Sequence, residues 1–182
     1  MITSTKEGEG KTFLILTLAY ALTLKDKKIL LIDTNFKNNT LTRMSAEKIQ
    51  DNLLHTRLIG ENNLSDQFEA KKINNMFNLD NVDIIGNRGT SHSPSEFFAG
   101  RDFQNFISDL KENYDYIFLE GASLNKYSDT RELVRFADKI VAVFSAESEI
   151  KDADKESIDY LLSKEDKFFG SILNKIDLKN MN

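Results

Sequence analysis

TSTKEGEGKT, residues 3–12, decides how the rest of the chain is read. Its second half, Gly8-Glu9-Gly10-Lys11-Thr12, closes the phosphate-binding pattern G-x-x-x-x-G-K-[ST], whose first glycine would fall on position 5. That position holds Thr5, so the motif is one residue short and needs support from its surroundings. Before it, Met1-Ile2-Thr3 leaves room for the end of a strand. After it, Lys11 to Leu24, with Phe13, Leu14, Leu16, Leu18, Ala21 and Leu22, reads as a helix with an apolar face. A strand, a Gly-rich loop and a helix in that order aim backbone N–H groups and a helix N-terminus at one point. Gly8 and Gly10 let the backbone curl around a phosphate without Cβ clashes. Lys11 would neutralise β- and γ-phosphate oxygens, and the Thr12 hydroxyl would ligate Mg²⁺.

Continuous apolar runs bounded by polar residues recur along the chain: ILLID (Ile29 to Asp33), VDIIG (Val82 to Gly86), YDYIFLEG (Tyr114 to Gly121), KIVAVFS (Lys139 to Ser145) and FFGSILN (Phe168 to Asn174). Such runs fit strands buried on both faces of a parallel sheet. Helical stretches lie between them at Arg101 to Asn113, Asp129 to Ala137 and Asp152 to Ser163, and Pro94 suits the first turn of a helix. The alternation predicts an α/β fold, a doubly wound, mostly parallel sheet of the P-loop NTPase kind flanked by helices. Residues 44–80 are polar and Asn-rich, with short helices expected around Ala46 to His55 and Leu64 to Ala70. No linker or repeat is visible, so residues 1–182 are expected to form a single nucleotide-binding domain. The short stretch before the loop suggests part of a longer protein.

Composition narrows the function further. The chain has 182 residues, 40% apolar and 29% charged, as a globular domain requires. No apolar run is long enough for a membrane span. The absence of Cys excludes disulfides and thiolate metal sites, and the net charge of −5 argues against a nucleic-acid surface. His55 and His92 stand without partners at metal-ligand spacing. Two carboxylates, by contrast, sit where chemistry is expected: Asp33 ends ILLID and Glu120 ends YIFLE. In an open α/β sheet, ligands bind beyond the carboxyl ends of the strands, so both would face the phosphates. One would hold Mg²⁺ or its waters and the other would orient or activate the attacking group.

In this order the motifs resemble those of the bacterial tyrosine kinases of exopolysaccharide and capsule export, which are related to the MinD/ParA ATPases. ITSTKEGEGKT resembles that family's deviant phosphate loop, in which the first Gly is commonly replaced. ILLIDTNFK (Ile29 to Lys37) resembles its second motif, apolar residues then D-x-D-x-R, and YDYIFLEGAS (Tyr114 to Ser123) its third, apolar residues then D-x-P-P. NLSDQF (Asn63 to Phe68), SPSEFF (Ser93 to Phe98), YSDTRELVRFAD (Tyr127 to Asp138) and GSILNK (Gly170 to Lys175) extend the likeness over essentially the whole chain. The resemblance implies ATP and Mg²⁺ as cofactors, a homo-oligomer, and a cytoplasmic domain at the inner face of the bacterial plasma membrane, joined to a membrane-spanning portion of the same or a partner chain.

Carried over residue by residue, Lys11, Asp33, Asn35 and Glu120 would serve the chemistry. Thr12 and Asp33 would hold the metal. Lys6, Gly8, Glu9, Gly10, Lys11, Thr12, Phe13 and Asn174 would contact the nucleotide, Asn174 by reading the adenine edge and Lys6 as the lysine that contacts phosphate at a dimer interface in the MinD/ParA branch. The departures matter equally. Asn35 replaces the second acid of the second motif and Lys37 its arginine; Glu120 replaces the third motif's aspartate; Ala122 and Ser123 stand for its prolines. An Asn can offer a neutral oxygen but cannot accept a proton. The tail LKNMN carries no tyrosine cluster for autophosphorylation. Nucleotide binding is therefore better supported than transfer. Two alternatives stay open: a non-catalytic ATP-binding assembly switch, and a positioning ATPase of the MinD/ParA kind.

Overall fold

A computed structural model of the chain describes residues 1–44, 81–87, 89, 93–97 and 103–177. Six strands, β1 (Ile2–Ser4), β2 (Ile29–Asp33), β3 (Val82–Ile85), β4 (Tyr116–Ser123), β5 (Ile140–Ser145) and β6 (Phe168–Asn174), form one sheet in the order β3-β2-β4-β1-β5-β6. Every pairing is parallel. Helices α1 (Lys11–Thr23), α2 (Thr40–Met44), α3 (Pro94–Phe97), α4 (Phe103–Lys111), α5 (Asp129–Leu133) and α6 (Asp152–Leu162) follow the strands. Among the described residues, no helix is long and apolar enough to cross a membrane.

The run ILLID explains why two layers form. All five of its residues are buried, and side chains along a strand alternate between faces. Leu30 and Ile32 pack with Phe103, Phe106 and Leu110 on one face; Ile29 and Leu31 pack with Ile15 and Ala19 on the other. α4 meets the first face with Phe103, Phe106, Ile107 and Leu110, an i, i+3, i+4, i+7 stripe. Phe103 also sets its ring edge-on to Phe136, with centroids 4.9 Å apart. Because the strands are parallel, their carboxyl ends share one rim of the sheet. Ser4, Asp33, Glu120, Ser145 and Asn174 all lie toward that rim.

Most elements keep their expected bounds to within a residue or two, and two stretches differ in a way that has a visible cause. β4 starts at Tyr116 rather than Tyr114, because the Asp115 and Tyr116 N–H groups turn back to the Lys28 carbonyl at 2.9 and 3.2 Å and the Tyr114 hydroxyl donates to Asp83 at 2.8 Å. It runs on to Ser123 because β1 lies beside its last residues, Ser4 opposite Ser123. The stretch Asp129 to Ala137 divides into α5 and a 3-10 turn, Val134–Phe136. The helices expected around Ala46 to His55 and Leu64 to Ala70, the NLSDQF block, and both histidines, His55 and His92, lie outside the described residues.

A strand buried on both faces makes a specific demand on stability. Leu30→Ala and Leu31→Ala remove side chains from opposite layers, so each is expected to cost about 2–5 kcal/mol. Urea unfolding of the two variants checks this; a near-neutral effect at either position would mean that one face of β2 is not core.

Candidate functional site

The loop between β1 and α1 is shaped by two glycines with positive φ, Gly8 at 76° and Gly10 at 99°. Gly10 caps α1 in the left-handed region, and a Cβ there would stand 2.0 Å from the Asn174 side-chain nitrogen. Only glycine admits that approach. Asn174 uses the closeness: its amide donates to the Glu9 carbonyl at 3.1 Å, tying the end of β6 to the loop. Glu9 itself folds inward, 2% exposed, and its carboxylate accepts from the Lys6 N–H at 3.1 Å and the Thr5 hydroxyl at 3.4 Å. Thr5, in the place of the missing glycine, is thus part of the loop's own bracing.

Lys11 is buried, 6% exposed, and its ammonium donates to the Ser4 hydroxyl at 2.9 Å. Burial lowers its pKa from the ordinary lysine value, opposed by the carboxylates of Glu120, Glu9 and Glu7. The next residue, Thr12, donates its hydroxyl to the Glu120 carboxylate at 2.5 Å. Glu120 and Asp33 are direct register partners on β4 and β2, which brings the two predicted strand-end acids side by side. Burial, then the neighbouring Asp33 carboxylate, pushes Glu120 up to about 7, against the Thr12 hydroxyl and Lys11. Its second oxygen is buried without a hydrogen-bond partner.

Asp33 is held differently. One carboxylate oxygen accepts the Asn35 N–H at 3.0 Å; the other accepts the Thr42 N–H at 2.9 Å and the Thr42 hydroxyl at 2.6 Å. The Asn87 side-chain amide donates to the Asp33 carbonyl at 2.8 Å, and its backbone N–H donates to the Thr42 hydroxyl oxygen at 3.0 Å. Burial pushes Asp33 up to about 6, against these bonds. Asn35 turns its side-chain oxygen to the Asn38 N–H at 3.1 Å.

Lys6 faces away from Lys11. Its ammonium pairs with Asp154 on α6 at 2.8 Å and donates to the Glu149 carbonyl. Asp154, 1% exposed, also accepts from the Asn125 amide at 2.7 Å and the Lys151 N–H at 2.8 Å. Burial alone would raise its pKa, but Lys6, the Lys151 N–H, Thr5 and Asn125 hold it well below the usual carboxylate range. Asn125 in turn donates its N–H to the Thr5 carbonyl at 3.0 Å and accepts the Ser157 hydroxyl at 2.7 Å. The loop is therefore braced from α6 by residues that sequence reasoning missed, as it missed Thr42 and Asn87. No local pattern joins them to the motifs; the one visible signal was Asp154 in the first turn of a predicted helix.

A cavity of about 590 Å³ opens from this loop. Gly8, Gly10, Lys11, Thr12, Asn35 and Glu120 line one end; Phe13, Leu16, Thr17, Tyr20, Asn38, Thr40 and Met44 line the other. Its volume is that of an ordinary small-molecule site. The structure brings together Gly8, Glu9, Gly10, Lys11, Thr12, Asp33, Asn35, Glu120 and Asn174, gives the Phe13 side chain to the outer end, and sets Lys6 on the opposite flank. A buried ammonium, a helix N-terminus and an orphaned carboxylate oxygen beside a hydroxyl fit a polyphosphate carrying a divalent cation.

The two raised carboxyls set a pH dependence of known sign. In the folded chain Glu120 and Asp33 keep protons that the unfolded chain releases near pH 4, so their contribution to stability is full below that value and is lost as pH rises toward 7. The melting temperature of the nucleotide-free protein is expected to fall between pH 5 and pH 7.5. Glu120→Gln, neutral throughout, should flatten that decline and melt higher than the native chain at pH 7.5. A decline equally steep in the variant would place the ionisation elsewhere.

The AAA domain family model matches residues 1–154. Tyrosine-protein kinase CpsD of Streptococcus pneumoniae serotype 4 is 27% identical over 180 residues, which cover 97% of this chain and 75% of that protein. The kinase domain of the Escherichia coli tyrosine kinase Etk superposes with a TM-score of 0.75 at 23% identity, covering 97% of this chain and 66% of that one. The septum site-determining protein MinD of Pyrococcus horikoshii, complexed with Mg-ADP, superposes with a TM-score of 0.68 at 25% identity, covering 94% and 68%. The all-parallel sheet is that of P-loop NTPase-like proteins, and the chain belongs to the AAA domain family.

Proposed function

We propose that this chain is the ATP-binding domain of a tyrosine-kinase-like regulator of exopolysaccharide polymerisation and export, with slow phosphoryl transfer. One observation carries the reading: Lys11, Thr12, Asp33 and Glu120, widely separated in sequence, converge at the carboxyl rim of adjacent parallel strands beside a Gly-rich loop. The likeness to CpsD, a tyrosine-protein kinase, along nearly the whole chain supports tyrosine phosphorylation as the reaction class. In this reading the domain works at the inner face of a bacterial plasma membrane, in a homo-oligomer and with a membrane-spanning portion of the same or a partner chain.

Each residue then has a task. Backbone N–H groups of Gly8 to Phe13 and the Lys11 ammonium bind the terminal phosphates of ATP. Asn174 lies where the loop meets β6 and reads the adenine edge. The Thr12 hydroxyl and the Glu120 carboxylate would hold Mg²⁺ with Asp33 behind them, and the metal supplies charge neutralisation at the phosphates. Asp33, pushed up to about 6, can hold a proton from an attacking hydroxyl near neutral pH.

Slow transfer follows from how these groups are engaged. Asp33 reaches no solvent and both its oxygens are occupied by Thr42 and Asn35. Asn35 brings no charge, and the longer Glu120 takes the Thr12 hydroxyl for itself. The same engagement of Asp33 favours the second reading, a non-catalytic switch that binds ATP and changes assembly.

Transfer of labelled γ-phosphate to a tyrosine peptide separates the two. The native domain is expected to be slow, and Asn35→Asp with Glu120→Asp should raise its rate by on the order of 10²-fold, the usual scale for one positioned or electrostatic group. A native rate already as high as the double variant's would refute the slow-transfer reading; no transfer by either protein would favour the switch.

A further inference from the structure

The acids and amides at the strand ends are not equally placed. Asn35 and Glu120 line the cavity beside the loop. Asp33, two residues before the one and the register partner of the other, does not, and it is fully buried. The contact that withdraws it comes from α2. This helix is five residues long, too short to hold itself together, so its place is set by tertiary contacts. Leu41 anchors it in the core with Ile15 and Leu31, and the Asn39 amide beside it donates to the Asn87 carbonyl at 2.8 Å. On the outside the Arg43 guanidinium donates to the Asn38 side-chain oxygen at 2.7 Å and to the Thr40 hydroxyl at 3.3 Å. Thr40 and Met44, one turn apart, stand on the cavity wall. Thr42 lies midway between them, turned by about 200° at 3.6 residues per turn, and faces the other way, onto Asp33.

The direction of the Thr42 hydroxyl is fixed by its partners. The Asn87 N–H can only donate, so at 3.0 Å the hydroxyl oxygen accepts it, and the single hydroxyl proton goes to Asp33 Oδ2 at 2.6 Å. The Thr42 N–H donates to the same oxygen at 2.9 Å. The bond from the Asn35 N–H to Oδ1 is local, two residues along the chain, and travels with the loop after β2. The Thr42 pair reaches across nine residues and ties the carboxylate to a separate element. For Asp33 to serve a ligand at the loop, Oδ2 must leave both of these bonds, and both belong to one residue. Hydrogen bonds to a carboxylate are the strong kind, so the restraint is substantial.

We infer that Thr42 is a positioning residue for Asp33. Its hydroxyl and N–H hold the carboxylate behind the cavity wall, and without the hydroxyl Asp33 turns toward the place for a divalent cation between Thr12 and Glu120. The inference rests on the nucleotide reading above. Glu120 shows what the restraint withholds: on the strand beside Asp33, its second oxygen is buried with no hydrogen-bond partner. Two acids in direct register, one committed to α2 and the other half unpartnered, describe a cation site from which one ligand has been drawn back. The residue that draws it back touches neither the nucleotide loop nor the cavity, so it acts through Asp33 alone.

Binding, rather than turnover, provides the test. The ADP affinity of the 182-residue protein is measured by calorimetry with Mg²⁺ and with EDTA, and the ratio of the two affinities gives what the metal contributes. Thr42→Val removes the hydroxyl and keeps the shape, and should raise that ratio about fivefold or more, the scale of one charge-assisted bond. Thr42→Ser keeps the hydroxyl and should stay within about twofold of the native ratio. Adding Asp33→Asn to Thr42→Val should abolish the gain, which marks Asp33 as its source. A merely structural Thr42 would lower the melting temperature and leave the ratio where it was, and that result overturns the inference. A fall in the ratio on Thr42→Val also overturns it, because the hydroxyl would then be holding Asp33 toward the cation. So does a gain that persists with Asp33→Asn, or one that Thr42→Ser shares. If Thr42→Val does not fold, the smaller Thr42→Ala is read in the same way. Failure of the native protein to bind ADP overturns the nucleotide reading itself and this inference with it.

Discussion

The site depends on a cation kept out of water. A lysine ammonium as deeply buried as that of Lys11 loses most of its hydration, a penalty of several kcal/mol that stands unless partners replace it. In the nucleotide-free chain the replacement is partial: one neutral hydrogen bond to Ser4, and the field of Glu120, Glu9 and Glu7. The backbone around it is held in place where Gly10 sits against Asn174 and Glu9 closes the loop on itself. A preformed, incompletely compensated cation at a helix N-terminus favours an anionic ligand on both counts. The rest of the site supplies what such a ligand brings with it, a place for its counter-cation between Thr12 and Glu120.

The same arrangement explains why binding and transfer separate. Binding uses groups that point into the cavity and need no proton. Transfer needs a carboxylate free to take a proton, and Asp33 is placed for that but is held by Thr42 and Asn35. Bracing from the far side acts in the same direction. Lys6 pairs with the buried Asp154, and Asn125 joins Thr5 to α6, so the loop is tied to α6 by a polar network at the edge of the fold. A charged residue on that flank is thereby directed into the fold instead of the cavity.

Much of this could be read from the chain alone, for physical reasons. Apolar runs such as ILLID can be satisfied in few ways, and a loop of Gly8, Gly10 and Lys11 between a strand and a helix has one common use. That Asp33 and Glu120 share one rim also followed, since parallel strands that end in acids bring those ends together; that β2 and β4 are neighbours, with the two acids in direct register, did not. What could not be read depends on contacts without local periodicity. Thr42 and Asn87 reach Asp33 across 9 and 54 residues, and Asn125 meets Asp154 across 29. Glu120 was legible as a departure from the family pattern, but its bond to Thr12 was not, because side-chain reach depends on strand register. α1 read as a helix whose apolar face included Phe13, whereas Phe13 lies exposed, as does Tyr20, and Ile15 and Ala19 are the apolar residues it buries.

The central claim is that Lys11 is the charge around which a nucleotide site is built. Calorimetric titration of Mg-ADP into the native protein and into Lys11→Ala tests it most directly, with thermal melting of both recorded to show that each is folded. The account predicts binding to the native chain and a loss of about tenfold or more in the variant, the usual scale for one charge-assisted contact to phosphate. Equal affinity in two folded proteins would contradict it and remove the phosphate site from this loop.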